Sequence, residues 1–194
     1  MNENHAKLCP SPEWAAWLHD EILPALTAGV DLGAEMLEVG PGPGAATGWL
    51  RHKVKRLVAL ERDEEAAAKL AAKYGQQDVE VVTGDATAMS FADASFDSAA
   101  MFTMLHHVPS TALQNQLLAE VLRVLRPGGV LIGSDSLAGN DLHHFHAGDD
   151  YNPVEPAAFL TRLQTLGFGK ITISVDYTLT FVARKPGEQT GCGA

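Results

Sequence analysis

Basic side chains are in short supply: 14 Lys and Arg stand against 24 Asp and Glu, a formal net charge of -10 over 194 residues. Such a surface repels a phosphate backbone, so no nucleic-acid partner is expected. Cysteine is scarcer still. The two that occur, Cys9 and Cys192, lie near opposite ends of the chain and suggest neither a metal knuckle nor a disulfide framework. Nowhere do about eighteen apolar residues follow one another, so no membrane span is expected. No basic stretch followed by an apolar run and a small-residue cleavage site opens the chain, and a cytoplasmic protein is expected. Internal repeats are absent as well.

What remains is a chain of one-domain length in which 46% of residues are hydrophobic, enough for a sizeable core. Apolar runs bounded by turn residues occur at Met36–Val39, Arg56–Leu60, Val79–Val82, Ser98–Phe102 and Val130–Gly133. Helical or polar stretches separate them. Ala67, Leu70, Ala71 and Tyr74 repeat at helical spacing, as do Leu113, Leu117, Val121, Leu122 and Leu125, with Ser110 placed to cap the second helix. Strands that are almost continuously apolar and joined by helices form a parallel sheet covered on both faces. The expected fold is therefore α/β, a doubly wound and mostly parallel sheet. A further helix is expected over Pro156–Leu166, ended by Gly167. Two alternating segments follow, Lys170–Val175 and Tyr177–Ala183, too close for a crossover helix, so they should pair as an antiparallel hairpin. At the other end, Trp14, Trp17, Leu18, Ile22 and Leu26 make an apolar stripe on an N-terminal helix.

The first strand runs directly into Glu38-Val39-Gly40-Pro41-Gly42-Pro43-Gly44, with a helix starting over Ala45–Leu50. Glycines let the backbone approach a ligand where a Cβ would collide. Gly40, Gly42 and Ala45 also satisfy the G-x-G-x-x-A spacing of dinucleotide sites, so the turn alone leaves a nicotinamide cofactor and S-adenosylmethionine both open. Pro41 and Pro43 each remove a backbone N–H and weaken the turn as a diphosphate cradle, while Glu38 sets a carboxylate beside it. Both features favour a cationic ligand without phosphate. About twenty residues on, Glu61 closes the second strand ahead of Arg62, where a carboxylate can accept both ribose hydroxyls. Asp63, Glu64 and Glu65 are read instead as carboxylates at a helix N-terminus.

From about Met36 to Ala183 the sequence resembles the class I S-adenosylmethionine-dependent methyltransferases, in particular the small-molecule branch that includes the ubiquinone and menaquinone biosynthesis enzymes. The likeness is carried by the glycine turn and Glu61, by Gly84-Asp85-Ala86 after the third strand, and by Ser95-Phe96-Asp97 before the fourth. Leu105-His106-His107-Val108 and Leu125-Arg126-Pro127-Gly128-Gly129 complete it. The resemblance implies a Rossmann-like, seven-stranded sheet with one antiparallel strand near the C-terminus. It also implies a cofactor site of Glu38, Gly40, Pro41, Gly42, Gly44, Glu61, Arg62, Asp85, Ala86, Met101 and Phe102. Within it, Asp85 takes the adenine amino group, Ala86 donates its N–H to the ring, the glycines meet the methionine and ribose portions, and Met101 and Phe102 flank the cofactor. On this reading residues 1–30 form a helical lid, 31–185 the methyltransferase domain and 186–194 a flexible tail.

The implied reaction takes a methyl group from S-adenosylmethionine, leaving S-adenosylhomocysteine, and delivers it to a small-molecule acceptor. Displacement at a sulfonium needs alignment and, for some acceptors, proton removal, but no enzyme nucleophile. His106 and His107 follow the fourth strand and are the candidate catalytic residues; a structural reading of the pair stands beside that one. His143, His144, His146, Asp149 and Asp150 crowd one loop that is expected to touch the acceptor, and no metal site is assigned to it. A monomer or homodimer is expected. An NAD-dependent oxidoreductase and an inactive S-adenosylmethionine-binding protein remain the competing readings.

Overall fold

The computed structural model describes residues 12–75, 78–138 and 150–187. Cys9, Cys192, His143, His144, His146 and Asp149 lie outside them. A seven-stranded sheet runs through the molecule. Its strands are β1 (Glu35–Val39), β2 (Arg56–Glu61), β3 (Val79–Thr83), β4 (Phe96–Phe102), β5 (Leu125–Asp135), β6 (Gly169–Val175) and β7 (Leu179–Arg184). They lie in the order β3-β2-β1-β4-β5-β7-β6. β7 alone runs against the rest, antiparallel to β5 on one side and to β6 on the other. The expected reversal near the C-terminus is present. The order turns back between β1 and β4, and the carboxyl ends of those strands part there to leave a crevice.

Alternation along each strand divides the core into two layers. Leu37, Val39, Val58, Leu60, Ala99, Met101 and Leu131 face one way. There they meet Leu117, Leu118 and Val121 of α5 (Thr111–Val124) and Phe159 and Leu163 of α6 (Pro156–Leu166). Met36, Leu57, Ala59, Ala100, Phe102, Val130 and Ile132 face the other. They are covered by the N-terminal helical segment, by Leu50 of α3 (Thr47–Leu50) and by Leu70 of α4 (Glu64–Tyr74). Ser110 caps α5 by accepting the Leu113 N–H, and Asp63 caps α4 by accepting that of Ala66. Gly167 ends α6 with a left-handed φ of 106°.

The N-terminal segment is continuous but irregular: α1 (Pro12–Trp17), a π turn over Leu18–Ile22, then α2 (Leu23–Thr27). Pro24 supplies the cause, since a proline inside a helix removes a bond and crowds the carbonyl four residues before it. The widened turn takes up that crowding, with the Leu23 N–H reaching back to the Leu18 carbonyl. Leu18, Ile22, Leu23 and Leu26 are buried in the second layer, so this segment roofs the sheet itself.

Three local expectations are corrected. Leu113 faces solvent and the crevice instead of the core, where Gln114 takes the buried position beside Leu117. Only one turn of helix forms after the glycine turn, over Thr47–Leu50. The fifth strand, expected over Val130–Gly133, starts already at Leu125: Leu125 pairs with Phe96 and the register shifts before Ser98 pairs with Val130. Lys185 holds the extra residues to the sheet through bonds with Gly128 and Gly129, and Gly128 turns the bulge at φ 81°.

Candidate functional site

A cavity of about 1360 Å³ opens at the switch point. The carboxyl ends of β1 and β2 contribute Glu38, Gly40, Pro41, Gly42, Glu61 and Arg62. Gly84, Asp85 and Ala86 come from beyond β3, Phe102 from the end of β4, and Thr103, Met104 and His107 from beyond it. Trp14, Leu18, Val108, Pro109, Leu113 and Asp150 complete much of the remaining wall. Most of the residues expected at a cofactor site thus meet in one place, although they are scattered over nearly seventy positions of sequence.

The glycine turn is held open from both sides. Gly40 and Gly42 adopt left-handed φ values of 64° and 52°, which side-chain-bearing residues rarely adopt. A Cβ on Gly40 would press on Met104, whereas one on Gly42 would project into open space. Glu61 fastens the turn: Oε2 accepts the Gly42 N–H at 3.0 Å and Oε1 the Asp63 N–H at 3.0 Å. A carboxylate offers about four lone-pair positions, so two remain for hydroxyl donors.

Glu38 lies deeper, 2% exposed, at the floor of the cavity. Thr47 donates its hydroxyl to Oε2 at 2.7 Å. Burial raises its carboxyl to about 7; the Thr47 hydrogen bond opposes that rise and the negative charge of Glu61 adds to it. Asp85 behaves oppositely. Its Oδ1 takes both the N–H and the hydroxyl of Thr87 at 2.8 Å, and these bonds, helped by Arg62, hold its carboxyl below the usual range.

Two residues expected at the cofactor do not reach the cavity. Met101 is buried in the first core layer. Neighbouring strand residues point to opposite faces, so only one of Met101 and Phe102 can face the crevice, and it is Phe102. Gly44 serves packing: a Cβ there would lie 2.5 Å from Leu70 and 2.8 Å from Tyr74 of α4.

The histidine pair divides in the same way. His107 lines the cavity. His106 is 2% exposed, with Nδ1 2.6 Å from Asp135 Oδ1 at the end of β5. Asp135 also accepts the Leu105 N–H at 2.8 Å and the Ser136 N–H at 2.7 Å, so one buried carboxylate fixes the 3-10 turn over Leu105–His107. Gln114 donates to the carbonyls of Leu105 and Asn152, and the Asn152 N–H donates to the His106 carbonyl at 2.7 Å. This web ties the turn that carries His107 to the segment that carries Asp150.

Sequence reasoning missed Met104, Thr103, Val108 and Pro109 as wall residues. Thr103 offers a signal only in its backbone, a φ of 47° that turns the chain out of β4. Among the described residues no group of three or more His, Cys, Asp and Glu is placed to hold a metal, and no helix is long and apolar enough to cross a membrane.

An open, doubly wound sheet whose switch-point crevice combines left-handed glycines with a strand-end carboxylate defines an α/β protein of the class that takes ligands at that point. Comparison with known proteins narrows the class. The profile of a methyltransferase-domain family matches residues 37–133, half of the chain, and the chain belongs to that family. A probable S-adenosylmethionine-dependent methyltransferase of Mycolicibacterium smegmatis is 30% identical over 143 residues, covering 70% of this chain and 52% of that one. The demethylmenaquinone methyltransferase of Renibacterium salmoninarum is 34% identical over 100 residues, covering 52% of this chain and 40% of its own. The chain thus spans about half the length of the curated relatives it matches. A solved protein of Pyrococcus horikoshii superposes with a TM-score of 0.80 over 95% of this chain and 99% of its own, at 19% identity, a likeness of fold.

Proposed function

We propose that this chain transfers a methyl group from S-adenosylmethionine to a small-molecule acceptor. The observation that carries the reading is Glu61, which spans the Gly42 and Asp63 N–H groups at the lip of a cavity sized for a nucleoside and a second small molecule. Its remaining lone pairs suit the two ribose hydroxyls. Asp85, with both Thr87 bonds on Oδ1, keeps Oδ2 for the adenine amino group, and Ala86 stands beside it with its N–H. The fit favours a sulfonium over a dinucleotide on charge, because Glu38 and Glu61 would both repel a diphosphate.

When bound, the cofactor supplies a methyl group on an already activated sulfur. The chain's part is to align and desolvate. Trp14, Phe102, Met104, Val108, Pro109 and Leu113 offer an apolar wall, which supports an uncharged, aromatic or lipid-like acceptor. His107, not the buried His106, is in position to take a proton from an acceptor hydroxyl or amine, with Asp150 on the same cavity. Calorimetry with S-adenosylhomocysteine and with reduced nicotinamide dinucleotide tests the donor. Binding of the first and not the second is expected, and the reverse sinks the reading. A screen of pooled metabolites for uptake of a labelled methyl group then finds the acceptor and separates an active enzyme from an inert binder.

A further inference from the structure

Glu38 is a buried carboxylate to which no basic side chain is paired among the described residues. Its β1 position is flanked in register by Ala59 of β2 and Ala100 of β4, neither of which has a polar side chain. Thr47 of α3 gives one hydroxyl. β2 brings Glu61, a second negative charge. From the N-terminal segment, His19 meets the Ala45 carbonyl at 2.7 Å; from α4, Lys73 and Tyr74 donate to the carbonyls of Pro43 and Gly44. These three groups address the backbone of the glycine turn, and among the described residues none forms an ion pair with Glu38. A carboxylate without a counter-ion in low dielectric keeps its proton.

We propose that Glu38 gives up its proton to solvent as a cationic ligand enters the cavity. The proposal rests on the reading of the ligand as S-adenosylmethionine, which carries a sulfonium and an ammonium. The Glu38 O–H bond breaks, water or buffer takes the proton, and the carboxylate left behind faces the ligand's positive charge. Net charge inside the crevice is thereby conserved, and neither a bare anion nor a bare cation is buried. A diphosphate ligand would work in the opposite sense and hold the proton on. The sign of proton exchange therefore reports the class of ligand.

Since the free carboxyl titrates at about 7, it is mostly protonated at pH 6 and half protonated at pH 7. Titration calorimetry of S-adenosylmethionine in two buffers of different ionisation enthalpy counts the protons. Release of about 0.9 proton per ligand at pH 6 and about 0.5 at pH 7 is expected, with affinity rising about fivefold between them. The ligand's own ammonium stays protonated over this window. In Glu38→Gln the release disappears and the affinity loses its rise between pH 6 and pH 7. Thr47→Val provides a check that keeps the carboxylate: loss of its hydrogen bond moves the half-release point to higher pH. Ligand binding with no proton released, or with equal release from Glu38→Gln, overturns the proposal and leaves the functional reading standing. If S-adenosylmethionine does not bind at all, both fall.

Discussion

The two edges of the sheet treat their carboxylates in opposite ways. At the amino edge, Arg126 bridges Asp97 and Glu35, while Arg56 pairs with Glu35 and with Glu80 across to β3. Asp97 also accepts the N–H groups of Ala34 and Glu35. Burial pushes the Asp97 carboxyl up, but Arg126 and these two N–H groups outweigh it, and the net shift is down. Glu35 is lowered chiefly by its bond to Arg126. At the carboxyl edge, among the described residues, Glu38 and Glu61 pair with no arginine or lysine, and burial pushes Glu38 up. The same strands carry both sets, β1 holding Glu35 at one end and Glu38 at the other. Paired charge marks the edge that closes the fold; uncompensated charge marks the edge that waits for a ligand.

Four measurements would break or sharpen that contrast. The largest effect belongs to Glu38 in the free protein. A raised folded-state pKa means that the folded form holds a proton the unfolded chain has already lost. Its contribution is fully present below the unfolded pKa of 4.5 and is lost as pH rises through about 7. Urea unfolding of wild type and Glu38→Gln at pH 5 and pH 8 should show the variant gaining on wild type by about 2.5 kcal/mol. No pH-dependent gain would remove the contrast between the edges. Next, Glu61→Ala deletes the acceptor of two backbone N–H groups and, on the proposed reading, of the ribose hydroxyls. A loss of about 100-fold in S-adenosylhomocysteine affinity follows from bonds to a charged group worth about 1.5–3 kcal/mol each. Affinity within threefold of wild type would take Glu61 out of the site.

At the amino edge, Asp97→Ala should cost about 2 kcal/mol of stability, because the Ala34 and Glu35 N–H groups lose their acceptor. Ligand affinity should stay as it was. A change in affinity with no change in denaturant midpoint would reverse the assignment of the two edges. The smallest effect is at Trp14, the N-terminal residue on the cavity wall that makes no contribution to the buried core layer. Trp14→Ala should raise the KM of whichever acceptor the methyl screen finds by about threefold to tenfold, from lost aromatic packing, and leave S-adenosylhomocysteine affinity alone. Equal loss of both would end the idea of a lid. Truncating the whole segment is a poorer test, since Leu18, Ile22, Leu23 and Leu26 are core.

Local pattern made the sheet and much of the crevice lining readable. Apolar strand runs, the glycine turn and the strand-end position of Glu61 are statements about neighbours in sequence, and they fix where β1 and β2 deliver the chain. The errors arose where a residue's role depends on a distant element. Gly44 looks like part of a ligand turn until α4 brings Leu70 and Tyr74 against it. Met101 and Phe102, or His106 and His107, look equivalent as neighbours, yet strand alternation and the Asp135 carboxylate send them to different places. The burial of Glu38 is invisible for the same reason: it needs α3 folded back to set Thr47 against it. A β5 that begins at Leu125 was hidden by its proline and glycines, which the bulge tolerates.

The anchoring web around Asp135 and Asn152 has a mechanical meaning. It pins the chain at Ser136 on one side and at Asn152 on the other, both against the turn that carries His107. The carboxyl end of β5 and the approach to α6 are thereby joined through one turn, so whatever loosens either of them also loosens the backbone that carries His107.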